Sequence, residues 1–445
     1  MPAPVPVSTP APATTTNATT TNTTTTNATA EAPKRRAKPQ PLDDLFPFQE
    51  YPGPTIGVPD TSSPYPLTKL LWDNFGFLKD NNIKIYGWVE PSYNLSTSRH
   101  SNSPLAYSVA PNSLQLDEVV LRFERVPDTV QTDHFDWGFR FTSYYGMDYR
   151  ATTALGYFSN QLLKANNLYG YDPFEAYAML YYPKVADGML IRIGRGISPP
   201  DIEAQTAPDN YMFTHSIMNT YDPYTQTGVQ ANIKINDDWT VIFGLNAGDD
   251  IAPWTKAAQP TFQALARWVS KANTDSVLFG VNSINNGQFR DDHDNLQMYV
   301  ATWTHKFSDN VHMASELYYD YQYNALQGGT VNFGPYAYGA GGGPGVMLPG
   351  LSGQLGFVNF TEIKLSSKSF LSIRTDFLSD DHGERTGYST FYTGNSIGIT
   401  QRFSDLFFVR PELVYERAWA GGVKPFDNGT RRDQVFFGLD AVQRF

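Results

Sequence analysis

Arginines and carboxylates recur in the middle of alternating apolar stretches. Arg122 and Glu124 lie in LQLDEVVLRFER, Arg140 in DWGFRFTSYYG, Arg192 in MLIRIGRG and Arg267 in QALARWV. Glu316 and Asp320 follow in ASELYYDYQ, Glu362 in FTEIK, Arg374 and Asp376 in SIRTDFL, and Arg410, Glu412 and Glu416 in FFVRPELVYERA. Charges of both signs, spaced by two or on neighbouring stretches, can pair across a wall or form a charged ring. That chemistry is the selection of ions by fixed charge, and it needs no reacting group.

Groups for catalysis are scarce. Cysteine is absent, which removes disulfides, thiolate metal sites and cysteine nucleophiles. His100, His134, His215, His293, His305, His312 and His382 include no pair at the spacing of a zinc hydrolase. His215 and Ser216 are neighbours in sequence only, and adjacency fixes no geometry for a serine hydrolase. Asp291, Asp292 and Asp294 in RDDHDN lack the calcium-loop pattern, so a solvated loop or a weak surface cation site is expected there. The glycine run Gly339–Gly345 lacks the lysine and helix of a phosphate cradle. The chain is therefore read as a non-enzyme with no cofactor and no metal.

The elements that must position these charges are strands. From Ile83 onward apolar and polar residues alternate with period two, as in Ile83, Ile85, Val89, Tyr93 and Leu95 against Lys84, Glu90, Ser92 and Asn94. Sixteen such segments begin near residues 83, 113, 134, 173, 187, 226, 238, 261, 274, 295, 310, 353, 369, 389, 406 and 432. Their connections alternate in length. Short ones such as NDD, KANTD, SDN and SD separate long ones at 97–112, 147–172, 197–225, 249–260, 285–294, 324–352, 379–388 and 418–431. Barrels of the outer membrane have short periplasmic turns and long outer loops in this way. A soluble sandwich or propeller, the competing fold, has no reason to. The expected fold is all-β: a closed antiparallel transmembrane β-barrel of about 16 strands.

Composition agrees. Aromatics reach 14%, with 27 Tyr and 29 Phe, which suits girdles at the two membrane interfaces. No run of about 18 apolar residues exists, so a transmembrane helix is excluded. A formal charge of −11 speaks against nucleic acid as a partner. In lipid every main-chain polar group must be bonded within the protein, so the sheet must close and the first strand must pair with the last. On that last strand, QVFFGLDAVQRF, Val435, Phe437, Leu439 and Ala441 then face lipid, while Gln434, Asp440 and Arg444 face water.

An arginine or lysine on the lipid face costs about 2–4 kcal/mol at the midplane. The charged set from Arg122 to Glu416 is therefore expected to line the interior, and a barrel of this size leaves an aqueous channel. The third long loop, 197–227, carries Asp201, Glu203 and Asp209 and is a candidate to fold inward, its acids facing the wall arginines. Solvated loop acids are the alternative. The sixth long loop, with its glycine run, is the other candidate constriction. Residues 1–45, near-repeats of Pro, Ala, Thr and Asn, read as a disordered tail. Residues 46–82 read as a pre-barrel segment in which PLTKLLWDNFGFL makes a short helix, and 83–445 as the barrel.

Six stretches resemble the OmpL-like beta-barrel porin family of the second type. They are YDPYTQTGV (Tyr221–Val229), VNSINNGQF (Val281–Phe289), YVATWTHKFSD (Tyr299–Asp309), SIRTDFLSDDHGERTGY (Ser372–Tyr388), VRPELVYERAW (Val409–Trp419) and FDNGTRRDQ (Phe426–Gln434). The resemblance covers roughly residues 83–445 and implies an outer-membrane barrel with porin activity in a Gram-negative-type envelope. The expected function is passive diffusion of small hydrophilic solutes or ions past a charged constriction. The alternative is a non-conducting structural, adhesive or scaffold barrel. Phe445 resembles the terminal aromatic by which outer-membrane barrels are recognised for assembly. The expected partners are outer-membrane lipid, the barrel-assembly machinery, small hydrophilic solutes or ions, and further copies in a homotrimer. The N-terminal tail is expected to be periplasmic.

Overall fold

The computed structural model describes residues 37, 56–60, 64–105, 107–329 and 345–445. The Thr-rich tail and most of the glycine run of the sixth long loop lie outside the described residues. The first eight strands are β1 (Lys84–Ser96), β2 (Leu114–Arg125), β3 (Asp136–Gly146), β4 (Gly170–Tyr182), β5 (Met189–Ile197), β6 (Thr225–Lys234), β7 (Trp239–Asp249) and β8 (Thr261–Val269). Then come β9 (Asp275–Ile284), β10 (Gln297–Lys306), β11 (Val311–Tyr323), β12 (Leu351–Lys364), β13 (Ser369–Asp380), β14 (Thr390–Ser404), β15 (Phe407–Ala418) and β16 (Asp433–Arg444). Each pairs antiparallel with its sequence neighbours, and β1 pairs with β16, so the sheet closes. The strands begin within a few residues of the predicted starts, and the connections alternate in length as expected.

Period-two alternation sets the two faces. On β16, Val435, Phe437 and Leu439 are exposed on the outside, while Gln434, Phe436, Asp440 and Val442 are buried within. The outer face carries aromatic clusters towards both ends. Tyr299, Tyr319, Tyr321 and Tyr323 neighbour one another towards the long loops, with ring centroids 5.9–6.3 Å apart. Trp303, His305 and Phe307, and Phe403 with Phe407, do so beside the short turns. These positions suit the two girdles.

The seam between β1 and β16 holds the barrel shut. Trp88 stands opposite Arg444 and Leu95 opposite Phe437. At its end Phe445 N donates to Gly87 O at 2.9 Å, and Gly87 N donates to Phe445 O at 3.2 Å. Only glycine fits at position 87, because a Cβ would stand 2.0 Å from Val120 O.

Two helices precede the barrel, α1 (Pro66–Asn74) and α2 (Gly76–Asp80), where the sequence predicts a short helix. Proline in the first turn of α1 needs no donor there. Thr68 Oγ1 and Trp72 Nε1 donate to Ile85 O and Ile83 O at 2.6 and 2.7 Å, which ties α1 to the start of β1. Upstream, Ile56 is buried among Tyr177, Met179, Tyr181 and Leu190, and the Tyr65 ring lies 4.8 Å from that of Tyr86. Ile56 thus rests on β4 and β5, and Tyr65 on β1, at the short-turn end.

Deleting Phe445 removes both of its bonds to Gly87. The fraction of protein that refolds to a heat-modifiable barrel is expected to fall, while the folded remainder keeps its single-channel conductance. A gel-mobility assay with bilayer recording measures both, and an undiminished refolded yield would count against the seam argument.

Candidate functional site

Alternation turns the predicted charged set inward. Arg122, Glu124, Arg140, Arg267, Glu316, Asp320, Glu362, Arg374, Asp376, Arg410, Glu412 and Glu416 are buried, and Arg192 is half-buried. What buries many of them is the connection between β5 and β6, residues 198–224, which runs inside the barrel and is itself almost wholly buried.

That loop is bonded to the wall along its whole length. Ile202 N donates to Glu316 Oε2 on β11 at 2.9 Å, and Ile217 N to Asp376 Oδ2 on β13 at 3.2 Å. Thr214 N and Oγ1 donate to Glu412 on β15 at 2.8 and 2.6 Å. In return, Arg374 Nη1 donates to Thr214 O at 2.5 Å, and Arg410 Nη1 to Ala207 O and Asn210 O at 2.8 and 3.0 Å. Arg444 Nη2 reaches Pro208 O at 3.0 Å. Under these polar contacts lies an apolar seat. Ile202, Tyr211, Met212, Ile217 and Met218 belong to one buried cluster with the wall residues Ile242, Leu265, Leu278, Val300, Val358 and Phe360.

The remaining wall charges are held by one another or by neutral groups. Arg140 meets Glu124 at 2.9 Å and Glu175 at 3.6 Å, and Arg122 meets Glu175 at 3.2 Å. Arg410 bridges three strands, donating to Glu90 on β1 at 3.1 Å and to Asp440 on β16 at 2.9 Å. Arg192 Nη2 donates to Ile197 O at 2.9 Å, and Arg267 Nε to Ser276 Oγ at 3.2 Å. Glu362 accepts from Ser372, Glu416 from Gln434 and Asp320 from Gln354.

The loop acids behave differently from the expectation. Among the described residues none of Asp201, Glu203 and Asp209 forms an ion pair with a wall arginine, because Arg374 and Arg410 spend their donors on loop carbonyls and wall carboxylates. Glu203 instead accepts from Ser216 N at 2.9 Å and from the Ser216 hydroxyl. Burial pushes its carboxyl up to about 7, against the Arg374 guanidinium and the Ser216 bonds, which lower it. Asp209 is half-buried and accepts from Thr206 at 3.1 Å. Asp201 is buried, and its carboxylate oxygens meet no N–H or hydroxyl donor, only the carboxyl of Asp222.

His215 and Ser216 are not a catalytic pair. Ser216 Oγ is committed to Glu203 and accepts from Asn219 N, which caps the helical turn Ile217–Tyr221. His215 Nε2 lies 2.7 Å from Ala204 O, and its ring stacks on Tyr107 at 3.8 Å. In RDDHDN, Asp294 pairs with Arg385 at 2.5 Å and Asp291 with Arg290 at 3.1 Å.

Three interior features escaped the sequence pattern. Arg195 binds both carboxylate oxygens of Asp172, at 2.7 and 3.1 Å. It stands on the parity that points outward at Ile191 and Ile193, and Gly194, at φ +136°, turns it inward. Glu175 enters through a register shift opposite Thr142 and Tyr144. The third is a row of amides, in which Gln230 Nε2 and Oε1, Asn232 Oδ1 and Asn246 Nδ2 have no hydrogen-bond partner in the protein.

Residues 82–445 match a family model described as "Putative beta-barrel porin-2, OmpL-like". No curated protein matches the chain. Among solved structures, the outer membrane channel DcaP of Acinetobacter baumannii is 12% identical with a TM-score of 0.50, over 82% of this chain and 97% of that one. The anion-selective porin from Comamonas acidovorans is 7% identical with a TM-score of 0.49, over 82% and 99%. OprB of Pseudomonas putida at high pH is 11% identical with a TM-score of 0.49, over 84% and 97%. At these identities the likeness is one of fold.

Two outcomes follow from the loop contacts. Replacing Arg410 by alanine leaves Asp440 and Glu90 without their cation and is expected to cost about 3–5 kcal/mol, read as earlier thermal unfolding in detergent. Arg192→Ala, at a half-buried site, should cost much less. For Glu203 the sign is that of a raised acid. Between pH 4.5 and about 7 the folded chain keeps a proton that the unfolded chain has lost, so its contribution to stability falls as pH rises through that window. Comparing unfolding of wild type and Glu203→Gln across it should show that slope missing from the variant.

Proposed function

The chain belongs to the OmpL-like beta-barrel porin-2 family and is an outer-membrane channel for small solutes; we propose that these pass along the part of the β6–β7 wall that carries Gln230, Asn232 and Asn246, beside the apolar seat that Ile242 and Leu265 share with the inward loop, with a preference for cations. The observation that carries the route is the row Gln230, Asn232 and Asn246, polar side chains that face the interior and bond to no protein group. Buried amides of this kind ask for water partners. Most of the polar contacts of the loop, by contrast, go to β11 to β16, with further bonds from Asn282 of β9 to Ser198 and from Ala207 N to Glu118 of β2. The charge preference rests on what is left after pairing. Arg122, Arg140, Arg374 and Arg410 are held in ion pairs, whereas Asp201, Glu203, Glu316 and Asp320 have no arginine partner within salt-bridge distance among the described residues. Where these carboxylates are ionised they raise the local concentration of cations in a narrow lumen, so the preference strengthens as pH rises through about 7, where Glu203 loses its proton.

On this reading the constriction is made by loop 198–224 with Asp201 and Glu203 among its charges, and the family's fold needs no reacting group. On the same reading the side with the short turns is periplasmic, and the tail belongs to the periplasm as well. Lipid around the outer band, the assembly machinery that reads β16 with Phe445, and two further copies of the chain are the partners implied.

The test is reconstitution into planar bilayers. Folded protein should give stepwise conductance with a reversal potential displaced towards the cation in a salt gradient. Tryptophan at both Asn232 and Asn246 should cut the conductance by about half or more, since side-chain volume is added on the proposed route. Folded protein that gives no steps would instead be a plugged structural or adhesive barrel.

A further inference from the structure

Where the two limbs of the inward loop meet β11, three carboxylates converge. Asp201 belongs to the descending limb, Asp222 to the returning limb and Glu316 to the wall. One carboxylate oxygen from each lies within 4.8 Å of the other two, and all three residues are buried. None of them makes an ion pair among the described residues. Their hydrogen bonding is also incomplete. Glu316 Oε2 accepts from Ile202 N at 2.9 Å, but Glu316 Oε1, Asp222 Oδ1 and both oxygens of Asp201 meet no N–H or hydroxyl donor. Asp201 is 5% exposed, so water at the surface does not serve it. Asp320, two inward positions further along β11, adds another unpartnered oxygen, Oδ1.

Carboxylates are not gathered in this way without something to hold them. Isolated buried carboxylates repel and carry a large desolvation penalty. Burial pushes both Asp201 and Asp222 well above the ordinary range; the charges of Glu203, Asp250 and Asp320 add to this at Asp201, where a hydrogen bond with the Asp222 carboxyl works against it, and the charge of Asp201 adds to it at Asp222. Two arrangements relieve the strain, protons shared within the cluster or a cation at its centre. The spacing admits the second, and no arginine or lysine is paired with the three carboxylates among the described residues. Oxygens that lie opposite one another on a calcium ion, each at 2.3–2.6 Å, are separated by about 5 Å, and calcium takes 6–8 such ligands. Nitrogen and sulfur ligands are missing from the set, which makes it a site for a hard cation and not for zinc or copper.

We propose that Asp201, Asp222 and Glu316 bind a hard divalent cation, calcium foremost, which staples both limbs of the inward loop to strand β11. The cation supplies the positive charge that arginine provides at the other anchors, where Arg374 and Arg410 hold the middle of the loop. The site is a clasp at the two ends of that segment. Its occupancy does not depend on whether the barrel conducts; with the cation bound, Asp201 and Glu316 are compensated and the charge preference proposed above rests on Glu203 and Asp320.

The test uses the full refolded chain in detergent. Terbium, a calcium substitute excited through nearby tyrosine, should give sensitised emission, for Tyr318 lies between Glu316 and Asp320 on β11 and donates to Met218 O in the loop. Calcium should quench that emission by displacement. Direct titration should show the Asp201→Asn, Asp222→Asn double variant binding one calcium fewer than wild type. Millimolar calcium should also raise the thermal midpoint of wild type by several degrees over the same protein in chelator, and the double variant should lose that shift. Should the double variant fail to refold, Glu316→Gln serves for the titration, and the terbium signal of wild type stands alone. Equal calcium stoichiometry in wild type and variant, or an unquenched terbium signal, overturns the proposal in favour of shared protons.

Discussion

Everything in this molecule follows from the requirement that a sheet in lipid leave no edge. Main-chain groups in the hydrocarbon cannot turn to water, so the β1–β16 seam is as necessary as any pairing inside the sheet. Once the ring is closed, parity ceases to be a local matter. Each residue of each strand faces either lipid or lumen, and the closing register at Trp88 and Arg444 fixes that choice for the whole circumference. The interior then receives every mid-strand charge the sequence contains.

That inheritance makes the interior an electrostatic problem. An arginine taken out of water is tolerable only when its donors are used, and buried pairs add less stability than specificity. Arg410 illustrates how the donors are used. Its guanidinium joins β15 to β16 and β1 and still reaches two carbonyls of the inward loop. Arg374 spans β13 and the loop, with Ser396 of β14 as a further acceptor. These contacts choose one position for the loop among the many that an apolar surface alone would allow.

How much of this is legible in the sequence can be judged strand by strand. The sixteen segments, the seam and the inward facing of residues such as Arg374 and Glu412 all follow from alternation, because most strands here are regular. The reading fails where regularity does. Glu175 and Arg195 sit beside a register shift and a glycine at positive φ, so counting by twos places them on the wrong face. Their partners Arg140 and Asp172 cannot then be identified from sequence. The inward row Ile242, Leu265 and Leu278 is hidden for a different reason. On β7 to β9 each is a lone mid-strand apolar residue on a largely polar parity, beside Asn246, Gln263 and Asn282, and alternation does not say that the three stand side by side across neighbouring strands. The pairing of loop acids with wall arginines is also expected from charge alone, but carbonyl oxygens of the loop compete for the same donors and win.

The apolar row explains why the loop enters the barrel at all. A porin lumen lined only by charges would offer Ile202, Tyr211, Met212, Ile217 and Met218 nothing better than water. Ile242, Leu265, Leu278 and Val300 give these residues a surface to bury against, and burial at about 25 cal/mol per Å² supplies a driving force that no ring of paired charges provides. Hydrophobic burial therefore brings the loop in, and the arginines and carboxylates of β11 to β16 decide where it stops. The division has a consequence for transport. Because most of the polar contacts of the loop lie on β11 to β16, Gln230, Asn232 and Asn246 of β6 and β7 are left without protein partners, which is the observation behind the proposed route.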